Sequence, residues 1–223
     1  MATVCLQGGN EFSPECRAMD ALLLDRIGAG TVVVVPLAGA PGREHDTAGA
    51  NAARHFTALG AVDVRVAADA RADAAAARAE VAAARLIVLP GGSPRRLRDS
   101  LVASGLDDVI RERVAGGVAV MGASAGAMVL CATTLIPEGR LTTGPGLGVI
   151  TDFTVVPHWS GSRPAWVEAL RAAAPDADVL GIPECSGVLI DGDAVTALGA
   201  QPSLLITADA ELTLALDVAP PPG

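Results

Sequence analysis

Between Thr31 and Pro36 the chain reads Thr-Val-Val-Val-Val-Pro. β-Branched side chains are stiff and suit a strand, and a run without polar alternation suits one covered on both faces. A strand covered twice needs helices above and below it, so this short stretch already points to a layered α/β architecture. The neighbouring sequence repeats the demand. Thr3–Gln7, Val62–Val66 and Leu86–Leu89 are further short apolar runs. Helical patterns separate them. One opens at Ser13-Pro14-Glu15, with Pro at the first helical position, and runs to about Ile27. Others cover Thr47–Leu59 after a loop at Leu37–Asp46, the Ala-rich Asp69–Arg85, Ser93–Ser100 with Ser93 as cap, and Leu106–Val114. Strand followed by helix, repeated four times, predicts a three-layer α/β/α domain on a mostly parallel sheet with right-handed crossovers.

Beyond Ser124 the pattern changes. Pro137-Glu138-Gly139 reads as a turn, Gly144–Gly148 as a loop and Phe153–Val156 as a strand. Arg163–Ala173 follows as helix, then short strands at Val179–Ile182, Gly187–Ile190 and Val195–Leu198, joined by turns such as Asp191-Gly192. This strand-rich last third is expected to close the sheet with antiparallel hairpins. The expectation is one domain over residues 1–218 and a Pro-rich tail at 219–223.

Charge and composition exclude several classes. A net charge of −9 with no basic stretch argues against nucleic acid. Cysteines at 5, 16, 131 and 185 have no paired metal-ligand spacing, and Cys5 and Cys131 sit in apolar runs as small core residues. The first residues, Met1-Ala-Thr-Val-Cys-Leu-Gln-Gly, lack a basic segment and a long apolar one, which predicts a cytoplasmic protein. Val114–Pro137 runs 24 residues without a charge, long enough to span a bilayer. Its Gly, Ala, Ser and Thr content instead suits a buried strand followed by a buried helix.

That uncharged stretch holds the chemistry. The short apolar run that opens at Val118 and precedes Gly122 reads as a strand, and Gly122-Ala-Ser124-Ala-Gly126 matches the G-x-S-x-G elbow, in which Ser stands on a sharp strand-to-helix turn. Small flanking residues are needed because the apex is crowded. A second turn, Gly91-Gly92, also follows a strand directly, so both lie at the sheet edge where ligands bind in such folds. Backbone N–H groups of Gly92 and Ala125 can form an oxyanion hole there. Of three histidines, His45 and His55 fall in a polar loop and a helical pattern. His158 follows the apolar run Thr154–Pro157 and is expected beside Ser124 as its base. An α/β-hydrolase esterase is disfavoured, since only 65 residues follow His158 and none is His.

Pro90-Gly91-Gly92, Gly122-Ala-Ser124-Ala-Gly126-Ala127, Pro157-His158-Trp159-Ser160 and Gly181-Ile-Pro-Glu184 occur in the order found in the dipeptidase E/cyanophycinase family of serine peptidases. The chain resembles that family from Gln7-Gly-Gly to about Gly199. The resemblance implies a class I glutamine-amidotransferase-like fold, Ser124 as nucleophile, His158 as base, an acidic third member, and neither metal nor organic cofactor. It also implies a small peptide or isopeptide substrate, such as an aspartyl dipeptide or a cyanophycin-like β-aspartyl bond. For the acidic member Glu138 is expected and Glu184 is the alternative. Where relatives often carry an amide after the double Gly, this chain has Ser93-Pro94. Recognition of an aspartyl carboxylate needs a cation, and Arg163 is the expected donor, with Arg95 and Arg96 as rivals. Two other readings stand beside this one. A glutamine amidotransferase would show Cys at the elbow and His-x-Glu downstream, where this chain has Ser124 and His158-Trp-Ser160. A non-catalytic binding protein on the same scaffold, and a homodimer, are left open.

Overall fold

The valine run becomes strand β2 (Thr31–Val34), and its side chains divide as a doubly covered strand requires. Val32 and Val34 join one apolar cluster, Val33 and Val35 the other. The same split recurs in β4 (Leu86–Leu89), where Leu86 and Val88 face one way and Ile87 and Leu89 the other. The structure is a computed structural model that describes residues 2–217, so the predicted tail at 219–223 lies outside the described residues.

Strands β1 (Thr3–Gln7), β2, β3 (Asp63–Val66), β4 and β5 (Ala119–Ala123) lie parallel, in the spatial order β1-β5-β4-β2-β3. Helices α1 (Arg17–Ile27) and α2 (Arg43–Ala58) cover one face, through Met19, Leu23, Ile27, Ala52 and Phe56. Helices α3 (Ala74–Ala82), α4 (Pro94–Ser104), α5 (Leu106–Ala115) and α6 (Ala125–Leu130) cover the other, through residues such as Val81, Leu97, Leu101 and Ile110. The expected three layers and mostly parallel sheet are therefore present.

Local chemistry sets the boundaries. Ser93 accepts a hydrogen bond from Arg96 N and caps α4, with Pro94 at its first position. Gly105, left-handed at φ +69°, separates α4 from α5. The Ala-rich helix is shorter than the predicted 69–85. Asp73 takes the Ala76 N–H at 2.9 Å and starts the helix there, while Asp69 folds back to grip Arg71 at 2.7 and 2.9 Å. Helix α2 instead starts four residues earlier than predicted, at Arg43, with Glu44 and Asp46 in its first turn, where acidic groups are favoured.

The last third departs further from expectation. One hairpin, β10 (Ser186–Asp191) and β11 (Ala194–Gly199), does extend the main sheet, β10 pairing antiparallel with β1. The rest forms a separate four-stranded sheet of order β13-β12-β9-β8, from β8 (Phe153–Val156), β9 (Asp178–Gly181), β12 (Leu204–Ile206) and β13 (Glu211–Thr213). β8 and β9 are parallel, joined through helix α7 (Pro164–Ala173). A third pair, β6 (Thr133–Ile136) and β7 (Thr142–Pro145), is a hairpin where a turn and a loop were predicted. The second sheet joins the apolar cluster of Val33 and Val35 through Val155, Val156, Val179, Leu180 and Ile206, so one core serves both sheets. Among the described residues, no helix is long and apolar enough to cross a membrane. The uncharged stretch from Val114 is divided among α5, β5, α6 and β6.

Candidate active site

Strand β5 ends at Ala123, α6 begins at Ala125, and Ser124 between them has φ +47° and ψ −106°. A residue with a side chain resists that conformation, so neighbours must hold it. The Ser124 N–H donates to Gln7 O at 2.9 Å, and Ser124 O accepts from Met128 N at 3.0 Å. The flanking glycines allow the crowding. A Cβ at Gly122 would stand 2.5 Å from Gly126 C, and one at Gly126 only 2.0 Å from Leu89 O. Ser124 caps no N–H with its side chain, which leaves the hydroxyl for another partner.

That partner is His158, whose Nε2 lies 2.9 Å from Ser124 Oγ. Expected at the same sheet edge, His158 in fact arrives from the second sheet, just beyond β8. The loop after β1 bridges the gap. His158 N donates to Gly8 O at 2.8 Å, and the imidazole packs on Gly9, where a Cβ would fall 2.3 Å from Cε1. Glycine at 9 is thus a steric requirement for the ring's position. His158 itself takes φ +50°, and Trp159 N returns to Ile182 O.

The structure brings Glu184, not Glu138, to His158, with Oε1 3.1 Å from Nδ1. The segment carrying Glu184 is fixed to the same glycine loop. Cys185 N donates to Gly9 O at 3.0 Å, and a Cβ at Gly8 would clash with Pro183 O at 2.0 Å. Glu138 sits in the turn of the β6–β7 hairpin, which was not foreseen. There its carboxylate accepts from Ser93 Oγ and lies 3.7 Å from Arg95. The contact expected of Glu138 is made by Glu184, because strand pairing carries Glu138 to the start of α4.

Of the two glycines after β4, Gly91 stands beside the serine. A Cβ at Gly91 would meet Ser124 Cβ at 3.3 Å, and Gly92 has φ +139°, with Ala38 O where a side chain would go. Ala125 heads α6. The Gly91 N–H, however, donates to Glu11 Oε1 at 2.7 Å, a contact that sequence reading missed. Arg163 immediately precedes α7. Its Nη2 lies 3.4 Å from His158 O and its guanidinium 4.8 Å over the Trp166 ring. A cleft of about 600 Å³ beside Trp159 is lined by Arg163, Glu168 and Arg171. Arg96 is taken up by Ala38 O at 2.8 Å and Glu44 at 3.5 Å.

Behind the serine lies a buried polar network. Gln7, whose carbonyl holds Ser124, donates through Nε2 to Asp20 Oδ1 at 2.5 Å, and Asp20 Oδ2 pairs with His55 Nε2 at 2.7 Å. His45 is buried too, its Nδ1 3.2 Å from Asp46. All four cysteines are buried free thiols, and burial pushes the Cys131 thiol up to about 12. Among the described residues no group of three or more His, Cys, Asp or Glu is placed to hold a metal ion. The signal for the glycine platform was present in the sequence. Gly8-Gly9 ends a central strand just as Gly91-Gly92 does, and a double Gly at that edge implies a close approach.

Comparison with known proteins agrees in fold and family. A crystal structure of a peptidase from an acI-B1 Actinobacterium superposes with a TM-score of 0.83 at 22% identity, covering 98% of this chain and 96% of that one. A putative peptidase E protein from Listeria monocytogenes EGD-e gives 0.66 at 17% identity, covering 90% and 100%. At those identities the likeness speaks for the fold. No curated protein matches the sequence. The sequence model of peptidase family S51 matches residues 4–198, and the chain therefore belongs to that family, the dipeptidase E/cyanophycinase peptidases.

Proposed function

We propose that this protein is a serine peptidase that hydrolyses small aspartyl peptides through an acyl-enzyme on Ser124. The observation that carries the reading is the chain of contacts from Ser124 Oγ to His158 Nε2, and from Nδ1 to Glu184, at 2.9 and 3.1 Å. In this reading His158 takes the hydroxyl proton as Ser124 attacks the scissile carbonyl. Glu184 accepts the Nδ1–H, fixes the tautomer and stabilises the imidazolium. The developing oxyanion takes hydrogen bonds from the N–H groups of Gly92 and Ala125. His158 then returns the proton to the leaving amine, and water repeats the sequence to free the acid and Ser124.

An aspartyl side chain would lie toward the cleft beside Trp159, with Arg163 as carboxylate donor. Arg163 is already oriented by Trp166 and the His158 carbonyl, which lowers the entropic cost of gripping a carboxylate. The test is labelling by a fluorophosphonate together with a screen of α- and β-aspartyl dipeptides. Wild-type protein should be labelled at Ser124 and turn over at least one aspartyl dipeptide. Ser124→Ala should lower kcat by about 10⁴-fold or more while staying folded. Arg163→Ala should bring the rate ratio of Asp- to Ala-peptides close to one. A folded Ser124→Ala variant with wild-type turnover overturns the nucleophile assignment, and an unchanged Asp preference in Arg163→Ala overturns that of the arginine.

A further inference from the structure

Glu11 is a half-buried carboxylate that the proposed reaction does not use. It follows the Gly8-Gly9 turn, and Oε1 accepts a hydrogen bond from Gly91 N–H at 2.7 Å. Gly91 faces the nucleophile directly. A Cβ built there would stand 2.8 Å from Glu11 Oε1 and 3.3 Å from Ser124 Cβ. One glycine therefore separates a carboxylate from the serine. Among the described residues, no Arg or His side chain lies within ion-pair distance of it. The bond from Gly91 uses one of the roughly four lone-pair sites of a carboxylate, so acceptor capacity remains.

An unpaired negative charge is a handicap at this position. Attack on the carbonyl develops a second negative charge a few ångströms away, and like charges in a partly desolvated cleft repel strongly. The repulsion is cancelled when the substrate brings a cation to Glu11. A peptide with a free N-terminus carries one in the right place. Its α-ammonium, predominantly protonated at neutral pH, is bonded to the carbon next to the scissile carbonyl of its own residue. With that carbonyl against Ser124 Oγ, the ammonium reaches the same few ångströms that separate Ser124 from Glu11. We propose that Glu11 is the receptor for the free α-ammonium of the residue that acylates Ser124. Within the dipeptidase reaction proposed above, Glu11 is then the side chain that reads the free N-terminus. The proposal rests on the Ser124 reading for its reaction but not for its binding.

Binding and turnover are therefore measured separately. Glu11→Gln keeps an oxygen acceptor for Gly91 N–H at nearly the same shape and removes only the charge. In the Ser124→Ala background, with and without Glu11→Gln, calorimetric titrations use Asp-Leu and Ala-Leu, their N-acetyl forms, and N-acetyl-Arg-Leu. The free-amine dipeptides should bind at least about 30-fold more tightly than their acetylated forms, a ratio typical of losing a charge-assisted contact. Glu11→Gln should bring that ratio below about threefold with the melting temperature nearly unchanged. Several results overturn the proposal: equal binding of acetylated peptides, a ratio that survives Glu11→Gln, or no free-amine binding at millimolar concentration. N-acetyl-Arg-Leu binding as tightly as Ala-Leu also overturns it, since the cation is then a side chain. Glu11-dependent binding without turnover or fluorophosphonate labelling of wild type removes the catalytic reading and leaves the ammonium site standing.

Discussion

At φ +47° Ser124 stores backbone strain that its neighbours must hold in place, and the proposed catalytic contacts depend on the same neighbours. The carboxylate on His158 shows how exposure tempers a role. Glu184 is 59% exposed and His158 39%, so water competes for the imidazolium, and the orienting bond is weaker than in a sealed triad. Glu184→Gln should lower kcat by roughly 10–100-fold, below the larger losses seen for buried triad carboxylates. Glu138→Gln, which breaks contacts to Ser93 and Arg95 at the start of α4, should leave kcat within about threefold. Steady-state kinetics on both variants, with thermal melts, checks the pair. A large loss in folded Glu138→Gln with near-wild-type Glu184→Gln would reverse the assignment.

Among elements, the short helix α6 is the one whose position fixes the site. It packs against β4 through Gly126, where a Cβ would stand 2.0 Å from the Leu89 carbonyl oxygen, a rigid backbone atom. Gly126→Ala must lift α6 off the sheet. The expected cost is about 2–3 kcal/mol or more, with kcat falling at least 100-fold as Ser124 moves away from His158. Gly105 offers the contrast. It is left-handed at φ +69° between α4 and α5, and among the described residues beyond its chain neighbours only the Arg78 side chain comes within 4 Å of the added Cβ. Gly105→Ala should cost about 1 kcal/mol in urea unfolding and leave kcat unchanged. Equal effects of the two substitutions on kcat would mean that α6 does not register the serine.

Across the whole molecule, one buried polar network links the first strand to two helices behind the site. Asp20 is fully buried between Gln7 and His55 and ties α1 to α2 behind β1. The molecule's buried thiols also tie stability to pH. Burial raises the Cys131 thiol to about 12 from an ordinary 9.0, and raises Cys5 likewise. Below pH 9 both folded and unfolded chains hold these protons. Between pH 9 and about 12 the unfolded chain releases them while the folded chain does not, so stability falls as pH rises. Each fully buried thiol contributes a slope of up to about 1.4 kcal/mol per pH unit in that window. Urea unfolding at pH 8.0, 9.5 and 10.5 should show the decline, and Cys131→Ala should flatten it by one thiol's share. An identical slope in Cys131→Ala would mean that the thiol ionises as easily folded as unfolded.

Local chemistry was enough to read the valine run, the caps at Ser93 and Pro94, the elbow glycines and the strand preceding His158. Covering a β-branched strand on both faces, satisfying helix N–H groups and relieving a crowded turn are all demands made by a few adjacent residues. The three-layer sheet and the pairing of Ser124 with His158 followed from those demands and from the resemblance. The separate second sheet was not legible, because β8, β9 and β12 are short strands that pair across long stretches of chain, and β13 joins only through the neighbouring β12. Which glutamate meets His158 was hidden for the same reason. Glu138 and Glu184 look alike in sequence, each after a Pro, and only the β6–β7 pairing, the close packing of Gly8 on Pro183 and the bond from Cys185 N–H to Gly9 O separate them. Glu11 is the clearest case. Nothing in its own neighbourhood marks it, and only the parallel packing of β1 and β4 on either side of β5 brings it to Gly91 beside the serine.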